Sequence, residues 1–260
     1  MTGRFTPRLA AWPIDPVVRR LTAYATLSEA DEALVRALGD RRERHAPGEE
    51  LIGEGQPARR ARFVVAGWAA CQRVLPDGRR QIFRLILPGD GLGLHERGSP
   101  AVPWTVVALT ALETVDAQAL VEAAEAGRST ALSQALVGAA LSEEQLLLDH
   151  LVRLGQQTAY ERVAHFLLEL QRRLQVAGLG DSRRFPLPLT QEILADALGL
   201  SIVHVNRTLQ QLRREGLIEL RSRVAILLEP GTLHDIASCE HALAPRFGAA
   251  AKGQVANTPA

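Results

Sequence analysis

From Thr190 to Arg214 apolar residues recur every three or four positions, and two short β-rich runs follow, an order that predicts two helices and then a hairpin. Thr190 is placed to cap a first helix whose Ile193, Leu194, Ala197 and Leu198 share one side. Gly199 supplies the positive φ of a tight turn, and the small Ala195 lets a second helix approach closely. Ser201 caps that second helix, which carries Ile202, Val205, Leu209 and Leu212 on one stripe. Val203, Arg207, Gln210 and Arg214 cluster on the opposite face, with His204 and Gln211 beside them and Asn206 at the edge. Gly216 ends the helix, and GLIEL and RSRVAILLE form two strands around Arg221, Ser222 and Arg223, which is a wing. Amide, imidazole and guanidinium groups near the N-terminal half of a helix are equipped to hydrogen-bond base edges in a major groove. The expected base-reading residues are therefore Val203, His204, Asn206, Arg207 and Gln210, and the expected phosphate contacts are Thr190, Ser201, Arg213, Arg214, Arg221 and Arg223. The alternative for the same pattern is a solvated polar face on a winged module that binds only protein.

Upstream the pattern differs. Residues 1 to about 25 are interrupted by Pro7, Pro13 and Pro16 and are expected to wrap over the body of the domain, and Ser28 then caps a short amphipathic helix closed by Gly39. Between His45 and Ala119, Gly67, Gly78 and Gly89 recur every eleven residues among β-rich runs, the spacing of short strands in a sandwich or barrel, and Asp77-Gly78 is a hairpin turn. Arg73, Arg79, Arg80 and Arg84, on those strands and that hairpin, are expected to face solvent. After Glu122 one long helix is expected to run to about Leu154. Val137, Ala140, Leu147, Leu151 and Leu154 fall on its 3-4 repeat, interrupted by Glu144, as a seam for self-association. Gly155-Gln156-Gln157-Thr158 reads as a hinge before a further helix, AYERVAHFLLELQRRLQ.

The expected organisation is α+β: a sensor-like β domain over residues 1–127, a dimerisation helix and hinge over 128–157, a winged helix-turn-helix over 158–240, and a disordered tail over 241–260 rich in Ala, Gly and Pro.

Composition sharpens this picture. The 260 residues carry a net charge of only +1, yet from Ser201 to Arg223 five arginines stand against two glutamates, so basic character is concentrated where phosphates would be met. A hydrophobic content of 47% is ample for two cores. No run approaches a membrane span, and the N-terminus, broken by Arg8, Asp15, Arg19 and Arg20, lacks a signal-peptide core, so a cytoplasmic protein is expected. Cys71 and Cys239 are the only cysteines, too few for a disulfide framework or a cysteine-ligated cluster.

The order of β-roll, long helix and winged helix-turn-helix resembles the CRP/FNR family of bacterial transcription regulators. The segments that carry the resemblance are APGEELIGEGQPARRARFVVAGWAACQRVLPDGRRQIFRLILPGD and LTQEILADALGLSIVHVNRTLQQLRREGLIEL. It implies an effector-sensing β-roll of the cyclic-nucleotide-binding type (a jelly roll), a homodimer on a palindromic site in double-stranded DNA, and RNA polymerase as a partner. The departures from the family pattern are informative. Cyclic-AMP-binding members use a Gly-Glu-Leu turn and an Arg-Ser pair, where this chain has Gly93-Leu94-His95 and Val102-Pro103, and Leu147 and Leu148 replace hydroxyls that reach the base. Without the arginine and glutamate no fixed cation meets the cyclic phosphate and no acceptor meets the ribose. The effector pocket is expected instead to be lined by Leu94, His95, Val102, Val106, Leu147 and Leu148, with an apolar ligand or none.

Iron-sulfur sensing requires N-terminal cysteines that this chain lacks. Haem sensing of gas or redox state, through His45, His95 or His150, is the alternative within the family. The family's recognition helix carries a glutamate and an arginine; the arginine corresponds to Arg207, while Val203 stands at the glutamate's position, so carboxylate readout of a cytosine amine is lost. Two readings from other classes are a scaffold that does not bind DNA and a cupin-like metal enzyme. The second needs closely spaced histidines, and here His45 is followed by none until His95; there is also no phosphate loop, nucleophile elbow or H-E-x-x-H, so no metal site and no enzyme are expected.

Overall fold

The computed structural model describes residues 15–57, 60–94 and 100–237. In chain order the elements are α1 (Asp15–Thr22), α2 (Glu29–Ala37), β1 (Arg42–His45), β2 (Glu50–Ile52), β3 (Arg62–Ala66), β4 (Ala69–Val74), β5 (Arg80–Ile86), β6 (Gly91–Leu92), β7 (Thr105–Ala108), β8 (Leu112–Asp116), α3 (Gln118–Glu125) and α4 (Thr130–Gln156). The C-terminal half continues with α5 (Ala159–Val176), β9 (Arg184–Pro186), α6 (Gln191–Leu198), α7 (Ile202–Arg214), β10 (Ile218–Arg221), β11 (Val224–Leu227) and α8 (Pro230–Ala237). The tail over 241–260 lies outside the described residues.

Two four-stranded antiparallel sheets, ordered β1-β8-β3-β6 and β2-β7-β4-β5, make the β-roll. Because successive side chains point to opposite faces, each sheet serves two cores. Val64, Ala69, Cys71, Ile86, Val106 and Leu112 fill the space between the sheets. Phe63, Val65 and Val115 point the other way and pack with α1, α2, α3 and the start of α4. On the far side of the β4-β5 hairpin, Ala70, Ile82 and Leu85 join Phe166, Leu170 and Leu198, so one apolar core runs from the β-roll into the C-terminal module. That continuity fixes the position of the C-terminal module relative to the β-roll.

Several elements depart from the sequence reading. The Pro-rich start contains α1, with Pro16 in its first turn, where a missing N–H costs nothing. The helix after Glu122 is two helices: Gly127 adopts φ +67°, breaking the chain between α3 and a 27-residue α4 capped by Ser129. The hinge is short, since Gln157 is extended and Thr158 already caps α5 in a capping box with Glu161. The wing sheet gains a third strand, β9, paired with β11.

Candidate nucleic-acid interface

The helix-turn-helix forms as its caps dictate. The Thr190 hydroxyl accepts the Ile193 N–H at 3.2 Å, and the Ser201 hydroxyl accepts the His204 N–H at 3.2 Å. Each hydroxyl keeps its own O–H free to donate, so capping and a phosphate contact are compatible. Gly199 sits between the helices at φ +61°, and its N–H donates to the Ala195 carbonyl. Val205, Thr208, Leu209 and Leu212 are the buried side of α7, and each large aliphatic there contributes about 1.5–3 kcal/mol. Ile202, expected on that stripe, is 48% exposed, because at the first helical position no other element packs over it.

Val203, His204, Arg207 and Gln210 are exposed and Asn206 is half-buried, so the five expected base-reading residues lie along the outward side of α7. The Gln210 amide donates to Asn206 Oδ1 at 3.2 Å, which fixes the two amides relative to each other. Arg213 and Arg214 are exposed further along the helix. In the wing, Ser222 and Arg223 both take positive φ, 47° and 63°, the two-residue hairpin conformation that matches strand twist. Arg221 and Arg223 are exposed at its tip, and Arg221 pairs with Glu219.

The acidic groups near this surface are engaged. Glu215 accepts from the Tyr160 hydroxyl and from the Gln211 amide at 3.0 Å, bonds that hold its carboxyl below the usual range. The Tyr160 hydroxyl is pushed up to about 12 by burial and by that carboxylate. Nothing in the spacing of residues along the chain signals this pair, whose members are 55 residues apart.

A buried chain of charges joins the module to the β-roll. Asp90 is held by Arg20 of α1 and by Arg173 of α5, Arg173 also donates to Glu169 at 3.1 Å, and Arg153 of α4 donates to Glu169 at 2.6 Å. Burial alone would raise the carboxyls of Asp90 and Glu169, yet their arginines hold both well below the carboxylate range. His150 and His165, buried beside Arg153, are lowered to about 4 by desolvation and by that guanidinium. Arg162 ties the hinge to the turn by donating to the carbonyls of Leu198, Leu154 and Gln157 at 2.8, 3.1 and 3.0 Å.

Two arginines expected in solvent turn inward. Arg80 donates to Asp196 of α6 at 2.7 Å, and Arg84 pairs with Glu143 of α4, because the outer face of β5 is covered by these helices. Arg73 and Arg79 do stay at the surface, the first donating to the Pro103 carbonyl at 3.1 Å and the second to Asp77 at 2.8 Å.

The expected effector pocket does not close within one chain. Leu94 packs with the helices on one face of the β-roll and Val106 packs between the sheets, so the two belong to different cores; Val102 is buried, and His95 lies outside the described residues. Leu147 and Leu148 are 46% and 50% exposed, because α4 turns Gly138, Ala139, His150 and Arg153 inward instead. On the expected seam Val137, Leu147 and Leu151 are exposed, whereas Ala140 is half-buried and Leu154 packs against the Gly199 turn. Leu148 and Val152 widen the exposed apolar face. His45 is engaged on β1, its ring nitrogens 2.7 Å from Glu49 Oε1 and 3.0 Å from Thr114 Oγ1, while His150 sits between α4, α5 and β5. Among the described residues no helix is long and apolar enough to cross a membrane, and no three His, Cys, Asp or Glu gather as metal ligands.

Comparison with known proteins agrees with this architecture. Residues 42–122 match the cyclic nucleotide-binding domain and residues 161–236 the Crp-like helix-turn-helix domain. The chain is 36% identical over 183 residues to the nitrogen fixation regulation protein FixK of Azorhizobium caulinodans, covering 70% of this chain and 73% of that protein. It is 30% identical over 184 residues to the transcriptional activator protein FnrL of Cereibacter sphaeroides, with the same 70% and 73% coverage. The solved structure of FixK2 from Bradyrhizobium japonicum superposes with a TM-score of 0.67 at 31% identity, over 77% of this chain and 98% of that one. With a β-roll, a long helix and an exposed α7 in the family's order, the chain belongs to the CRP/FNR family of DNA-binding transcription regulators.

Proposed function

We propose that the protein regulates transcription in the cytoplasm as a homodimer, in which two copies join along α4 and present two α7 helices to successive half-sites of a palindromic duplex. The observation that carries this reading is the row of Val137, Leu147, Leu148, Leu151 and Val152, exposed on a helix whose opposite side is buried. A stripe of this kind on a 27-residue helix is an unfinished core, and a second copy of the same helix completes it isologously. A two-fold dimer places its half-sites about one helical turn, roughly 34 Å, apart. RNA polymerase is the partner through which a bound dimer acts on a promoter. Sedimentation of the free protein and of its complex with duplexes selected from a random pool tests the arrangement; monomers in both states overturn it.

The sensor half is proposed to respond to something other than cyclic AMP or an iron-sulfur cluster, or to no ligand. Gly93 stands at φ +65° in the turn where the ribose-binding glutamate would follow, and the next residue, Leu94, packs inward. An anionic phosphodiester set among aliphatic groups without a cation costs several kcal/mol. Calorimetry with cyclic AMP and cyclic GMP is the check, and micromolar binding together with a gain in DNA affinity would reinstate a nucleotide sensor.

A further inference from the structure

The first turn of α7 carries two aliphatic side chains that no core receives. Val203 is 65% exposed, the highest value for a large hydrophobic among the described residues, and Ile202 beside it is also exposed. Single exposed aliphatics are ordinary. This pair differs in its place: it lies one turn before Arg207, on the end of the helix that enters a groove first, and is flanked by the cap Ser201 and the exposed His204. From Ser201 to Arg214 the helix contains no Asp or Glu, so it offers no carboxylate to a cytosine amine. The only apolar group that base pairs display in the major groove is the 5-methyl of thymine.

We propose that Val203, with Ile202 at its side, is a specificity-determining residue that reads thymine through contact with its 5-methyl group. The proposal rests on α7 being the DNA-reading helix and adds the base that its apolar turn selects. Geometry sets where that base lies. Val203 and Arg207 are four residues apart, about 6 Å along the axis, against a rise of about 3.4 Å per base pair. The thymine therefore falls one or two base pairs from the pair read by Arg207. Basic charge on the same surface, with five arginines against two glutamates from Ser201 to Arg223, holds the turn against the duplex so that the methyl contact excludes water.

The test uses the full-length protein and duplexes it selects from a random pool. In the best duplex each thymine is replaced by deoxyuridine, which removes one methyl and leaves every hydrogen-bonding edge intact. The expected result is a loss of about fourfold in affinity when one half-site loses the methyl of its contacted thymine and roughly fifteenfold when both half-sites are stripped, with no change at other thymines. Val203→Ala, at an exposed position that leaves the fold intact, should show a reduced preference for thymine over deoxyuridine while keeping the guanine preference assigned to Arg207. Enriched duplexes that are insensitive to deoxyuridine everywhere, or a Val203→Ala protein with undiminished methyl dependence, overturn the proposal and leave α7 as the reader; the apolar pair would then face a protein partner. Failure to enrich any duplex overturns both.

Discussion

Arg173 of α5 donates to Asp90 of the β-roll at 2.5 Å, across 83 residues of sequence, and the same carboxylate receives Arg20 of α1. One acidic side chain thereby holds the N-terminal helix, the β-roll and the first helix of the DNA-binding module together. Both ion pairs are buried, so their net contribution to stability is small beside the penalty of removing one member and stranding the others.

Asp90→Asn should leave the buried Arg20 guanidinium without its paired carboxylate and Arg173 with only Glu169, which it shares with Arg153, and its cost is expected at about 3–5 kcal/mol. Urea denaturation monitored by far-UV dichroism measures it. A loss below about 1 kcal/mol would mean that water reaches the joint and screens the pair.

Acid should weaken the fold before the carboxylates titrate. His150 and His165 are lowered to about 4 in the folded state, so as pH falls through the ordinary histidine range the unfolded chain takes up protons that the folded chain refuses. Stability is then fully present near pH 7 and declines from about 6.5 to 4, by at most roughly 2.7 kcal/mol per pH unit for two such groups. Asp90 and Glu169, held below the carboxylate range, extend the decline to lower pH with the same sign. Stability measured at intervals from pH 7.5 to 4.5 checks this, and the slope should flatten in a His150→Gln, His165→Gln double variant.

The arginines of the interface should separate into two kinds. Arg207→Ala is expected to cost about 1–3 kcal/mol on a selected site and to relax preference at one base pair per half-site. Arg213→Ala and Arg223→Ala should weaken binding to every sequence and each lower the salt slope by about 1. Arg221→Ala should do less, because Glu219 already pairs with Arg221 in the free protein. Competition assays over a salt series decide this; uniform loss from all four variants would remove Arg207 as a base reader.

Leu151→Glu places a charge in the centre of the exposed α4 face. Since Leu151 is exposed within one chain, the monomer fold should keep its melting temperature at low protein concentration. Association should fail in sedimentation, and DNA affinity should fall with it. Unchanged dimer formation would show that the copies meet elsewhere.

Gly199→Ala should destabilise the helix-turn-helix by about 1–2 kcal/mol, because a non-glycine residue is strained at φ +61° and its Cβ would stand 3.0 Å from Leu154 Cδ2. Thermal melting of the variant reads the effect. No shift would mean that the turn relaxes to a different conformation.

Much of the DNA-binding module is legible in the sequence because its signals are local. Thr190, Ser201, Gly199 and Gly216 each act within one turn of helix, and the 3.6-residue period sorts Val205 from Arg207 with no knowledge of anything distant. Periodicity says which residues share a face but not what that face meets. That is why Ile202 reads as core and stands in solvent, why Leu147 and Leu148 read as pocket and form part of an open seam, and why Arg84 reads as surface and pairs with Glu143. The joint of Arg20, Asp90, Arg153, Glu169 and Arg173 has no signal in the chain at all, since its order in space comes from the packing of α1, α4 and α5 against the β-roll. Residue order alone therefore suffices for the helices and strands of the module, their caps and the chemistry offered along α7. Which charges are desolvated and which apolar faces remain uncovered is settled by packing, because both depend on which elements come to lie beside one another after the chain has folded.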